Sequence, residues 1–226
     1  MDYHLCDFNG AARYFSSHGA DEWADIAHVV SEMVLQLQPS DQAGRGRSPI
    51  FDPKATNAYL TNALHSLGWQ KVPVPAGLTE FGLDWDAGKN GTLAEFQFSN
   101  YPFLWNNTIR SEGVFTARTL LAGVGEVEAL IVITKSGLFP ASNSTLYYEQ
   151  AVAQISAATN FNAFRIPIRL VGLTLAEGTA LVEADWNEYP ARYGRVVELT
   201  TRRAFAVTWG RVRKHGYQGV KFTAAD

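Results

Sequence analysis

Two apolar runs, Ala129 to Thr134 and Ile166 to Leu173, bracket a stretch from about Thr145 to Ala158 that reads as a helix. Strands joined through a helix need a crossover connection, which lays them side by side and parallel. Upstream the pattern changes. Phe81 to Asp86 and Leu93 to Phe98 read as strands separated by a turn at Gly88 to Gly91, the spacing of an antiparallel hairpin. Parallel and antiparallel neighbours together predict an α/β core, a mixed β-sheet flanked by helices. Beyond about residue 174, β-formers alternate with polar residues without a helical period. This predicts a smaller β-rich subdomain over about 174–226.

Other elements follow from local signals. Asp21 can cap a helix to about Leu37, with Trp23, Ile26, Ala27, Val30, Val34 and Leu37 at helical spacing. Ser40 to Pro49 mixes turn formers with Arg45 and Arg47 and reads as a mobile loop or a backbone-contacting arm. Asp52 followed by Pro53 starts a second helix, and Gly68 stops it. Val72 to Pro75 is extended. Asn107 or Thr108 can cap a third helix through about Leu121.

A chain of 226 residues with 46% hydrophobic content buries one sizeable core and is expected to form a single domain, 1–226. Met1 to Tyr14 has no apolar stretch of signal-peptide length, and the longest aliphatic run, Ala129 to Ile133, is far short of a membrane span. Cys6 is the single cysteine, so no intrachain disulfide forms. A cytoplasmic protein is the expectation. The net charge of -3 argues against indiscriminate coating of nucleic acid. Charge is uneven, however. Tyr189 to Asp226 carries eight Lys and Arg against Glu198 and Asp226, which suits either a solvated face or one turned toward phosphates.

The hairpin holds the chemistry. Asp84 and Asp86 share one side of a strand, and Glu95 and Gln97 share one face of the next, with Ala94, Phe96 and Phe98 on the other. Facing carboxylates on adjacent strands suit a hard divalent cation, which neutralises a phosphate oxygen and activates water. The same residues would also serve as an acidic, solvent-facing edge. His4, His18, His28, His65 and His215 lack metal-ligand spacing, no G-x-S-x-G elbow occurs, and Gly88-Lys89 lacks the rest of a phosphate-binding loop. GVGEVE also lacks the third glycine of a dinucleotide site.

Longer strings separate these alternatives. EFQFSNYPFLWNNTIRSE (Glu95 to Glu112), ITKSGLFPASNSTLYYEQA (Ile133 to Ala151) and IPIRLVGL (Ile166 to Leu173) resemble type II restriction endonucleases, in the same order and spacing. SDQA at Ser40 and IFDP at Ile50 extend the likeness. The resemblance implies a restriction-endonuclease-like core and a homodimer that encloses double-stranded DNA. It also implies Mg2+-dependent cleavage of both strands of a palindrome, AGATCT or another GATC-centred site, leaving a 5′ GATC overhang. A cognate DNA methyltransferase is implied as its companion.

An Asp followed nine residues later by Glu-x-Gln places the family's catalytic residues on Asp86, Glu95 and Gln97, and its metal on Asp86, Glu95 and Phe96. Asp84 is not a direct ligand in that pattern. Most relatives of this fold have lysine where Gln97 stands, and an amide does not titrate, so Gln97 is expected to orient water. The DNA-binding residues implied are Ser99, Asn100, Arg110, Asn143, Ser144, Tyr193 and Arg195. Gly194 replaces a family serine, and Gln70-Lys71 replaces an Asn-Asn pair. A repair nuclease of the same fold and a silent DNA-binding module are the competing readings. The SNYPF and PASNS blocks argue against the first and the intact Asp86 and Glu95 against the second.

Overall fold

The apolar runs do become neighbouring parallel strands at the centre of the molecule. In the computed structural model, which describes all residues except 41, 43–45, 101, 143–144, 191–195, 213–217 and 226, the chain begins with β1 (Asp2–Phe8), α1 (Ala11–Phe15), α2 (Ala20–Glu32), β2 (Leu35–Pro39) and β3 (Pro49–Phe51). Next come α3 (Pro53–Ser66), β4 (Gln70–Pro73), a 3-10 turn at Ala76–Phe81, β5 (Asp84–Lys89), β6 (Thr92–Phe96) and α4 (Pro102–Thr116). A short ribbon, β7 (Leu120–Leu121) and β8 (Gly125–Glu126), leads to β9 (Ala129–Lys135), α5 (Tyr148–Asn160) and β10 (Ile168–Thr174). The last strands are β11 (Leu181–Glu188), β12 (Leu199–Val212) and β13 (Gln218–Ala224).

One sheet runs β1-β10-β9-β6-β5-β4. Its inner strands β6, β9 and β10 are parallel, with Phe96 opposite Ile133 and Ile133 opposite Val171. The outer pairs are antiparallel. All seven residues of β9 and of β10 are buried, as strands covered on both faces must be. Ile131 and Ile133 join a core that includes α2, α3 and the second sheet, whereas Leu130 and Val132 join one that includes α4 and α5. Ala94, Phe96 and Phe98 lie in the first core, as the alternation predicts.

The second sheet, β13-β12-β11-β2-β3, takes the three C-terminal strands together with β2 and β3 from early in the chain. Its two edge strands are both tied to one segment: Val220 N–H donates to the Leu138 carbonyl (2.9 Å) and Phe51 N–H to that of Pro140 (2.8 Å). No helix among the described residues is long and apolar enough to cross a membrane.

Several local expectations shift. The helix expected from Asp21 to Leu37 starts on Gly19 without a side-chain cap and stops at Glu32. Leu35 and Leu37 instead pair with Ala184 and Trp186 of β11, which buries both. The turn expected over Gly88 to Gly91 tightens to Asn90-Gly91, with φ of 42° and 80°, the left-handed pair that a two-residue hairpin turn demands. The strand expected from Phe81 correspondingly begins at Asp84. Asn107 and Thr108 are not caps: α4 starts at Pro102, and Thr108 satisfies its hydroxyl on the Leu104 carbonyl (2.7 Å). By contrast, Asp52 accepts from the amides of Lys54 (3.0 Å) and Ala55 (3.1 Å), with Pro53 at the first helical position and Gly68 at φ 86° just past the end.

Candidate active site

β6 and the residue just past its end deliver Glu95 and Gln97 to the face covered by α4, and both are buried, at 4% and 5% exposed. A solvent-facing acidic edge is thereby ruled out. Asp86 approaches from β5 just beyond the last paired residues, Ala87 with Ala94. There the Phe96 N–H donates to the Asp86 carboxylate (2.7 Å), and Asp86 and Glu95 share a hydrogen bond. Burial pushes both carboxyls up, Glu95 well above the usual carboxylate range; Asp86 raises Glu95 further, while the hydrogen bond from Glu95 holds Asp86 down. Asp84 is held by Lys71 (2.8 Å) in a more exposed ion pair, which gives the departure at Lys71 a structural role.

Arg110, expected at the DNA surface, is instead buried (3% exposed) and ion-paired with Glu95. Its guanidinium lies 5.1 Å from the Trp85 ring centre and donates to the Phe81 carbonyl (3.3 Å), while Trp85 is fixed by the Ser111 hydroxyl (2.9 Å). Gly82 makes room for it: at φ 133° only glycine is comfortable, and a Cβ there would meet Arg110 Nη1 at 2.0 Å. Arg110 Nε has no partner among the described residues.

Gln97 is held at both ends. Its Nε2 donates to the Asn100 carbonyl and its Oε1 accepts from Asn107 Nδ2, each at 3.1 Å. Sequence reasoning missed Asn107 in this role, because an Asn near a helix start reads first as a cap. Ser99 and Asn100 are exposed directly after the buried strand. Asn143, Ser144, Tyr193 and Arg195 lie outside the described residues.

Lys135, the last residue of β9, was also missed. It is 1% exposed, and burial lowers its ammonium to about 7. From about pH 7 to about 10.5 the unfolded chain holds this proton and the folded chain releases it, so stability through this group rises with pH across that window. Lys135→Met should flatten that slope in urea melts taken at a series of pH values. Equal slopes in the two proteins would show that Lys135 titrates normally.

Among the described residues no group of three or more His, Cys, Asp and Glu is placed to hold a metal. Magnesium asks for less: one or two carboxylates, with water and substrate phosphate completing the shell. The buried Glu95 and the half-buried Asp86, two carboxyls whose ionised forms burial disfavours, fit such an ion, and Phe96 has only its main-chain carbonyl to add.

The family model described as restriction endonuclease BglII/BglIII matches residues 3–173. Type II restriction enzyme BglII of Bacillus subtilis is 45% identical over 198 residues, covering 87% of each chain. Among solved structures, BglII complexed with a DNA 16-mer matches with a TM-score of 0.90 at 36% identity, and free BglII with 0.74 at 30%, each over the whole of both chains. Likeness of that extent means that the chain belongs to the restriction endonuclease BglII/BglIII family and is a site-specific nuclease.

Proposed function

We propose that the protein is a Mg2+-dependent type II enzyme that cuts both strands of a palindromic duplex, AGATCT or a related GATC-centred site, leaving a 5′ GATC overhang. The observation that carries this reading is the Asp86 and Glu95 pair, two hydrogen-bonded carboxyls that would repel if both ionised and that a divalent cation would relieve. Asp86, Glu95 and the Phe96 carbonyl would hold the ion, which when bound supplies phosphate neutralisation and an activated water. Gln97 cannot accept a proton, so its anchored amide orients water. Arg110 steadies Glu95 from behind.

Ser99 and Asn100 contact bases, and Asn can pair two-pronged with adenine. Asn143, Ser144, Tyr193 and Arg195 complete the DNA surface. The likeness to a relative solved on a DNA 16-mer supports duplex DNA as partner. Each chain carries one such acidic pair while a palindrome has two scissile strands, which supports a homodimer. A methyltransferase protecting the same site is expected in the same cell.

Digestion of a plasmid of known sequence, followed by sequencing of the fragment ends, tests the reading. Cuts with 5′ GATC ends that vanish on chelation of Mg2+ are expected, and sequence-independent nicking would overturn it. Equilibrium sedimentation with a cognate duplex should give two chains per duplex. A one-to-one complex fully active in double-strand cleavage would rule out the dimer.

A further inference from the structure

Lys135 has no acidic partner in the described structure, yet its ammonium is met by three acceptors from two separate segments. They are the Phe98 carbonyl (2.9 Å), the Thr145 hydroxyl and the Leu146 carbonyl (3.4 Å). The rings of Phe51 and Tyr147 each lie 5.4 Å from the nitrogen. The two segments are also joined directly: the Thr145 hydroxyl donates to the Phe98 carbonyl (3.0 Å), and the Leu146 N–H donates to that of Ser99 (2.8 Å). An ammonium has three donors and no acceptor, so three oxygens satisfy it completely.

Stability alone does not explain a cation here. Burying an ammonium without a counter-charge is costly, and an apolar side chain of similar length would fill the end of β9 without that cost. What the lysine does, and methionine could not, is tie two chain segments to one point. Those segments are notable. Phe98 directly precedes Ser99 and Asn100, and Thr145 directly follows Asn143 and Ser144.

We propose that Lys135 is a positioning residue for sequence discrimination, locking the segment after β6 and the segment before α5 into one unit. Its ammonium touches neither DNA nor the reacting phosphate; it acts by fixing the carbonyls on either side of the base-reading residues. The inference rests on the reading of Ser99 and Asn100 as base contacts given above.

A double-mutant cycle tests it. The measured quantity is the ratio of kcat/KM on the cognate duplex to that on a duplex with one changed base pair, for wild type, Lys135→Met, Asn100→Ala and the double variant. Circular dichroism melts confirm that each is folded. Each single substitution should lower the ratio by roughly tenfold, the scale of one lost base contact. The double variant should fall little below Asn100→Ala, because Lys135 works through the segment that Asn100 belongs to.

If Asn100→Ala lowers the ratio and Lys135→Met does not, or if the two losses multiply in full, the inference is overturned while the recognition reading stands. If Asn100→Ala leaves the ratio unchanged, the recognition reading falls and takes the inference with it. Should Lys135→Met fail to fold, Thr145→Val replaces it in the cycle. It removes the hydroxyl shared by Lys135 and Phe98, and the same non-multiplicative loss, smaller in size, is expected.

Discussion

Asp86→Ala and Glu95→Gln should each slow cleavage by roughly a thousandfold or more while leaving specific DNA binding measurable. Both carboxyls stand where an ion would be held, and the charge stabilisation that a bound ion provides is several kcal/mol, at about 1.4 kcal/mol per tenfold in rate. Glutamine is the better replacement for Glu95, since it keeps a hydrogen-bond acceptor for Arg110 and separates lost chemistry from lost packing. Single-turnover cleavage beside gel-shift binding makes the measurement, and a rate near wild type in either variant would remove that residue from the site. Asp84→Ala should matter far less, because Asp84 is occupied by Lys71. Gln97→Lys should impair activity even though lysine is usual in the wider fold: it offers no acceptor to Asn107 and brings a second cation close to Arg110's face of the sheet.

Arg110→Met should destabilise the metal-free protein by about 3–5 kcal/mol, the scale on which a broken buried ion pair acts. The loss comes from what is left behind, a buried Glu95 carboxyl and its Asp86 neighbour without a cation. Arg110 is one of the influences that hold Glu95 down, so its removal sends that carboxyl still higher. In both proteins the folded state binds more protons than the unfolded one above about pH 4.3, the ordinary glutamate value, so stability through Glu95 falls as pH rises; the extra loss in the variant opens only where the already raised wild-type carboxyl ionises. Urea melts near pH 4.5 and near pH 9 should therefore show a loss at both and the larger one at the higher pH, with added Mg2+ recovering part of it. A variant as stable as wild type at both pH values would mean that the guanidinium does not carry the pair. Weakened DNA binding with unchanged stability would return Arg110 to the DNA surface expected from sequence.

The parts of this protein legible in its sequence are those written into short stretches of chain. The runs Ala129 to Thr134 and Ile166 to Leu173 became the central strands because an apolar stretch with no polar face can satisfy itself only when covered on both sides. Asp52-Pro53 and Gly68 bounded α3 because a cap and a left-handed stop act within a few residues. The spacing of Asp86, Glu95 and Gln97 was likewise visible, and Asp86 and Glu95 do meet across the hairpin.

Where a residue's state depends on a distant partner, the same reasoning had no purchase. Leu37 continues a helical period, yet it ends in a strand because Trp186 of β11, some 150 residues away in sequence, pairs with it there. Nothing local distinguishes Arg110 at a DNA surface from Arg110 in a buried pair. That was decided by Glu95 on a facing strand, the Trp85 ring and the space left at Gly82. Asn107 reads as a cap until Gln97 is seen opposite it, and Lys135 reads as the polar end of a strand until Phe98, Thr145 and Leu146 close around it. The sequence by itself determined which segments form the central sheet and which carboxyls meet across the hairpin. Only the tertiary structure decided which charges are buried together, because the energy of a buried charge depends on groups that the chain brings near it by folding.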